Sequence, residues 1–548
     1  MAHRWWERDP DRLKWELERF IELGLDPHHE PIGDSMVIKV RVRASGRWEE
    51  VEVVLPAFYP DAMPQTFLHG RSLNRHHSPD GLVCVFPDPE GGDWSPSWSA
   101  AEELIPRLRG LLADLEVGGH AIDSSEVPWA EPITAFYSYN QPALVLPEPL
   151  WDEDLPARRG NAWLQAFGFG SGLCRKATAR VGSGVTLVDE NDPALLRIGK
   201  AVDLDDLDCV AWYALDEPLR PPALGVNIAD TVPLRDLETL FQRTRSDPRR
   251  ALFTFMEEGP ARGQRRRAWV LVQIQREDRG TYRAVGLHEC QELSRSSRRV
   301  RLPGMEGLAQ QHVAIVGAGS LGSPVALELA KAGVGRLTII DDDLYDVGNA
   351  VRHALPVTAA GTPKAPVVAA LASDYNPYLR VEALVSRLGY QRSPSDDVVK
   401  SLIESDLVID TTGSTDAARA ATTVRQDVGS LLISGLSYGI YGGELLIHRP
   451  DGPCFDCFKL HQDDEAIPKP PHAVRMSPLT PVGCRTPAFP GPGFSVTHFA
   501  AVVTRAAVQE LGNGYLPVTA DNWSVLDLHS DERRSGVADV HAECHRHG

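Results

Sequence analysis

The chain has little cysteine, no long apolar run and no excess of positive charge. Eight cysteines in 548 residues are too few for a disulfide scaffold. In a reducing compartment, clustered cysteines point instead to metal binding or catalysis. No apolar stretch approaches the roughly 20 residues that span a bilayer. The start, "MAHRWWERDPDRLKWELERF", is amphipathic and charged and lacks the apolar segment of a secretory signal. The expectation is a cytoplasmic protein without a membrane partner. The net charge of −19 argues against a nucleic-acid partner, since backbone binders present a basic face. What remains is an ordinary globular composition, 43% hydrophobic and 24% charged, in a chain too long for one core.

Three blocks are expected. Residues 1–139 read as an α+β domain: a helix in "DRLKWELERFIELGL", strands with period-2 alternation in "SMVIKVRVRA" and "RWEEVEVVLP", a proline-broken stretch, Cys84, and a helix in "AAEELIPRLRGLLADLE". A Pro/Glu-rich linker follows. Residues 140–294 read as an α/β middle linker domain, with strands in "ALFTFM" and "RAWVLVQIQ" and a helix in "LRDLETLFQRTRS". This block shows no repeat and no catalytic constellation, and its scattered Cys174, Cys209 and Cys290 read as packing residues. Residues 295–548 alternate strands and helices and read as a doubly wound, Rossmann-like α/β domain.

Gly317, Gly319 and Gly322 form G-x-G-x-x-G between a strand and a helix. Such a turn lets phosphate approach the backbone at a helix N-terminus. Asp341 ends the next strand, where a carboxylate can take ribose hydroxyls. This much fits an NAD or FAD enzyme as well as an ATP enzyme, or glycines used for tight packing alone. The next stretch, "DDDLYDVGNAVRHAL…GTPKA", adds Asp343, Asn349, Arg352 and Lys364. A nicotinamide site needs no such cluster, whereas a triphosphate transition state spreads charge over oxygens that it would meet.

The series glycine turn, Asp341-Asp342-Asp343, Asn349-Ala350-Val351-Arg352-His353, Lys364 resembles the adenylating enzymes of the ThiF/MoeB and ubiquitin-activating superfamily. The resemblance implies ATP with Mg as cofactors. It assigns Asp341 to the ribose, Arg352 and Lys364 to the phosphates, and Asn349 to positioning phosphates and Mg. The family's usual second aspartate is missing after Asp410, where the chain reads Asp410-Thr411-Thr412-Gly413; Asp410 is left as the residue for Mg. The family also implies a homodimer with an arginine reaching across, for which Arg298, Arg299 and Arg301 are candidates or simply a solvated basic run.

Cys454-x-x-Cys457 and Cys544-x-x-His547 have the pair spacing of a four-ligand structural zinc site; the alternative is an empty remnant with buried thiols. Cys484 lies in the Gly/Pro loop "TPVGCRTPAFPGPGF". The family places there a catalytic cysteine that takes an acyl group from the adenylate as a thioester.

In the first block, "VEVVLPAFYPDAMPQTFL" and "DGLVCVF…DWSPSW" resemble a ubiquitin-conjugating enzyme, with Cys84 at the thioester position. Its H-P-N tripeptide is absent, and Asn74, His76 and His77 are candidates for steadying the oxyanion. The two resemblances in one chain are similar to the fused CD-NTase-associated conjugation enzymes of bacterial CBASS antiphage systems. They imply activation of a partner with a C-terminal glycine, relay through Cys484 and Cys84, and an amide on a lysine-bearing target. A small ubiquitin-like modifier as cargo, and a sulfur-carrier activator with a non-catalytic N-terminal module, are the alternatives.

Overall fold

The computed structural model describes residues 4–44, 46–69, 78, 81–86, 94–116, 144–147, 159–166, 172–179, 185–186, 208–216, 249–258, 265–278, 281–293, 301–389, 395–437, 442–469, 492–512, 514, 516–528 and 530–547. These residues fall into two compact units, one ending at Leu293 and one running from residue 301.

The first unit begins with α1 (Trp5–Arg8) and α2 (Pro10–Glu22). Asp9 caps α2 by accepting from the Arg12 N–H, and Pro10 supplies the fixed φ of a first helical turn. An antiparallel meander follows: β1 (His28–Ile32), β2 (Ser35–Ala44), β3 (Arg47–Leu55), β4 (Gln65–Leu68) and β5 (Leu82–Val83). Along β2, Ile38, Val40 and Val42 are buried while Lys39, Arg41 and Arg43 face out, as strict alternation dictates. The buried face packs with Phe20 of α2 and with Leu104, Leu108 and Leu112 of α3 (Ala100–Glu116). Glu16, fully buried, ties these elements together. It accepts from the Tyr59 hydroxyl, from Ser99 Oγ and the Ala100 N–H (both 3.0 Å), and from Arg12 (2.8 Å).

The middle block lies between Leu144 and Leu293. Its described elements are strands: β6 (Leu144–Pro147), β7 (Arg159–Ala166), β8 (Gly172–Ala179), β9 (Val185–Thr186), β10 (Asp208–Ala214), β11 (Arg249–Glu258), β12 (Arg265–Asp278) and β13 (Thr281–Leu293). The helix expected in "LRDLETLFQRTRS" lies outside the described residues. The strand order is β6-β13-β12-β11-β10-β7-β8-β9, and β6 also pairs with β8. Seven strands therefore close into a ring, with β9 attached to β8. Both faces of β11 are buried, Phe253 and Phe255 on one and Leu252 and Thr254 on the other. Cys174 and Cys209 sit on β8 and β10, and Cys290 is half-buried on β13.

The second unit is an eight-stranded sheet with helices: β14 (His312–Val316), α4 (Gly322–Ala332), β15 (Arg336–Ile340), α5 (Lys364–Tyr375), β16 (Arg380–Leu384), α6 (Asp396–Glu404), β17 (Leu407–Asp410), α7 (Thr415–Asp427), β18 (Leu431–Ser437), β19 (Gly442–His448), α8 (Phe455–Asp463), α9 (Gly493–Glu510), β20 (Trp523–Asp527) and β21 (Glu532–Gly536). The order is β16-β15-β14-β17-β18-β19-β20-β21. The first five strands are parallel and the last three antiparallel, so the doubly wound half carries an antiparallel extension. Every residue of β14 is buried, as a strand covered on both faces requires. Strand order reverses between β14 and β17, and the crevice for a ligand in such a sheet opens at the carboxyl ends there. Among the described residues no helix is long and apolar enough to cross a membrane.

Candidate nucleotide site and cysteine cluster

The turn after β14 uses its three glycines differently. Gly317 has φ 91°, and a Cβ there would lie 3.1 Å from the Thr411 and Thr412 backbone. A Cβ on Gly322 would lie 1.8 Å from the Gly317 carbonyl oxygen. These two are demanded by the turn and by the packing of α4. A Cβ on Gly319 would meet nothing within 4 Å, so this glycine borders open space. That division of labour is the one a phosphate-binding turn uses.

Ala318, between the first two glycines, is held from both sides. Its N–H donates to Asp341 Oδ2 at 2.6 Å, and its carbonyl accepts from His353 Nε2 at 2.8 Å. Asp341 Oδ1 accepts from the Asp343 N–H at 2.8 Å. Burial pushes the Asp341 carboxyl above its ordinary range, with Lys364 and the two N–H donors pulling the other way. Lys364 opens α5, is only 8% exposed, and donates from Nζ to Asp343 Oδ2 at 2.9 Å.

Asn349 lies in a 3-10 turn, Val347–Val351, and Arg352 directly follows it; Asp346 caps the turn by accepting from the Gly348 N–H at 2.7 Å. Both are half-buried. Burial lowers the Arg352 guanidinium, and Asp346 opposes that shift. His353, the last residue of the stretch Asn349–His353, was given no role by the sequence, yet it binds the glycine turn directly.

Asp410 closes β17 and is the lateral partner of Val316, the residue before the glycine turn. It is 1% exposed. Oδ1 accepts from the Thr412 N–H (3.0 Å) and hydroxyl (2.7 Å), while the buried Oδ2 has no hydrogen-bond partner among the described residues. Burial raises this carboxyl to about 6. A buried, unsatisfied carboxylate oxygen has the donor chemistry that a hard divalent cation requires.

The structure gathers Cys454, Cys457, Cys544 and His547, with their ligand atoms all within 4.8 Å of one another. Cys454 Sγ lies 3.7 Å from Cys457 Sγ and 3.5 Å from Cys544 Sγ. A tetrahedral ion with Zn–S bonds of about 2.3 Å would set its sulfurs roughly 3.8 Å apart, so the set fits zinc closely. The three cysteines are buried and His547 is exposed. Two of the thiols are costly to ionise: burial pushes Cys454 up to about 12 and raises Cys457. Asp456, between the first two cysteines, is clamped by Arg419 Nε (2.8 Å) and Arg546 Nε (3.0 Å). The second of these bonds fixes the segment that carries His547.

Cys84 follows β5 and is half-buried. Arg301 is exposed. Cys484, Asn74, His76, His77, Arg298 and Arg299 lie outside the described residues.

A ThiF family model matches residues 293–511. The uncharacterized protein y4oA of Sinorhizobium fredii is 32% identical over 247 residues, 43% of this chain and 42% of that protein. The sulfur carrier protein adenylyltransferase of Thermus thermophilus is 33% identical over 192 residues, 33% of this chain and 66% of that protein. Among solved structures, E. coli MccB with MccA-N7isoASN shares 14% identity at a TM-score of 0.36, covering 46% of this chain and 74% of that one. The chain spans about two fifths of the length of y4oA and of y4qC, the first curated relatives it matches. The third block thus carries a ThiF family domain, homologous to the adenylyltransferases of that family.

Proposed function

We propose that the third block uses ATP to adenylate the C-terminal carboxylate of a protein partner. The observation that carries this reading is the convergence, in a ThiF family domain, of the glycine turn, Asp341, the Lys364–Asp343 pair and the half-satisfied Asp410 at the β14/β17 reversal. The cargo carboxylate attacks the α-phosphorus, and pyrophosphate leaves. Asp341 takes the ribose hydroxyls, and Arg352 and Lys364 meet the phosphate charge. Asn349 and Asp410 would hold Mg, which neutralises phosphate oxygens when bound. Cys454, Cys457, Cys544 and His547 would hold a structural zinc.

The same reading extends along the chain. The Cys484 thiolate attacks the acyl-adenylate carbonyl and AMP leaves; the Cys84 thiolate attacks that thioester and frees Cys484. A target lysine amine then attacks the Cys84 thioester, forming the amide and releasing the thiol. Asn74 and His77 steady the oxyanion of this last step. In this reading the protein is a cytoplasmic homodimer. Its cargo is a CD-NTase of a bacterial antiphage system or, as the variant of the same chemistry, a small ubiquitin-like modifier.

Homology of the third block to a protein named sulfur carrier protein adenylyltransferase favours a second reading, activation of a sulfur carrier with a first block that only binds. ATP–pyrophosphate exchange dependent on a glycine-ending cargo tests the first step. Lack of exchange in the wild type, or equal exchange in Lys364→Ala, refutes it. Trapping of cargo on Cys484 in Cys84→Ala supports the relay; amide products undiminished by Cys84→Ala favour the second reading.

A further inference from the structure

His353 reaches 35 residues back along the chain to the glycine turn. Its ring is orientated by a second bond, since the Leu355 N–H donates to Nδ1 at 3.1 Å. Nδ1 is therefore the acceptor nitrogen, and the ring proton sits on Nε2, where it is donated to the Ala318 carbonyl at 2.8 Å. The ring is further fixed by a T-shaped contact with Tyr345, with centroids 5.0 Å apart, and the Tyr345 hydroxyl donates to the Leu355 carbonyl at 2.8 Å.

Resting on the adenylation reading, we propose that His353 is a positioning residue for the nucleotide. By holding the Ala318 carbonyl on one side while Asp341 holds its N–H on the other, His353 keeps the open edge at Gly319 shaped for phosphate. The same backbone turn carries Arg352, so one side chain couples the glycine turn to the phosphate-facing guanidinium. The charged groups that face His353 are Lys364 and Arg352, both cationic. Burial, and then these two cations, pull the imidazole down to about 4 against the opposing bond to Ala318. The neutral tautomer that the clamp needs therefore persists through neutral pH.

Two variants test this. His353→Leu keeps bulk and removes the donor; His353→Gln restores an N–H donor. In nucleotide-free protein, hydrogen exchange of the peptide spanning 312–322 should accelerate at least about tenfold in His353→Leu and return toward wild type in His353→Gln, because a freed turn samples open states. The dissociation constant for MgATP should rise about tenfold in His353→Leu, the loss of one well-made hydrogen bond. It should stay within about threefold of wild type in His353→Gln, and the pH profile of binding from 5.5 to 8 should be unchanged. Unaltered exchange of 312–322 in His353→Leu overturns the clamp whatever the protein binds. Equal loss of MgATP affinity in both variants overturns the donor role. A wild type that binds no MgATP overturns the adenylation reading instead, and with it the link to the nucleotide.

Discussion

Around the cysteine cluster, charged neighbours are paired: Asp456 lies between Arg419 and Arg546, and the buried Glu444 takes bonds from Lys459 and Gln462. His541 rests on Asp464 at 2.9 Å. At the carboxyl ends of β14 and β17 the opposite holds. One oxygen of Asp410 is buried without a partner among the described residues, and Lys364 is tied to a single, largely exposed carboxylate. A fastener is best surrounded by fixed groups. A site through which a charged ligand must pass keeps groups that are stabilised only when it arrives. The difference also predicts which changes damage the fold and which damage only the chemistry.

The largest effect is expected at the cluster. Structural zinc contributes about 10–16 kcal/mol in isolated finger peptides. With zinc bound there as proposed, chelation or Cys457→Ser should remove more than about 5 kcal/mol of stability from this larger unit. Metal analysis with calorimetric unfolding reads both, and a variant that melts with the wild type would erase the contrast. Next comes Lys364→Ala, expected to lower pyrophosphate exchange by about 10²–10³-fold. Stability should move by less than about 1 kcal/mol, since its partner Asp343 is mostly exposed and such pairs stabilise little.

Asp410→Asn sharpens the comparison further. Because burial lifts this carboxyl from 3.8 to about 6, holding it ionised destabilises the folded state progressively as pH rises from about 4 to about 6, and fully above. The variant should be more stable than the wild type by about 3 kcal/mol at pH 8 and by less than about 1 kcal/mol at pH 4. Exchange should fall at the same time. A variant less stable at pH 8 would show that the carboxylate is already satisfied. The smallest effect is expected for Arg546→Ala, which leaves Asp456 on Arg419. Metal affinity should drop about tenfold, the usual size for a group that only orients a ligand, as a competitive chelator titration would show.

Much of the third block was legible. Its buried parallel strands read as short apolar runs, and the glycine spacing located the turn because sterics leave no other residue at Gly317 and Gly322. The pair spacing of the cysteines named the four residues that meet, although 90 positions separate Cys454 from Cys544. The role of His353 was not legible. The residue's place in the Asn349–His353 stretch was visible, but its bond to Ala318 depends on how two loops curve toward one another. Asp456 and Arg546 were hidden for the same reason, an ion pair formed across 90 residues. The middle ring escaped because its defining contact, Leu144 beside Cys290, is a parallel pairing between distant strands. Period-2 alternation also fails where both faces of a strand are covered, as in β11.

The closure of that ring has a consequence for how the chain is made. β6 is synthesised first of the seven strands, and its two neighbours are β8 and β13. At about 5–20 residues per second, roughly seven to thirty seconds pass between emergence of β6 and completion of β13. Until then the sheet has two unpaired edges, each a template for another strand. Non-local pairing of this kind is slow to form, so the nascent middle block stays open to mispairing until β13 arrives. Ending the chain between β12 and β13 should leave the ring open, with β12 and β6 as adhesive edges.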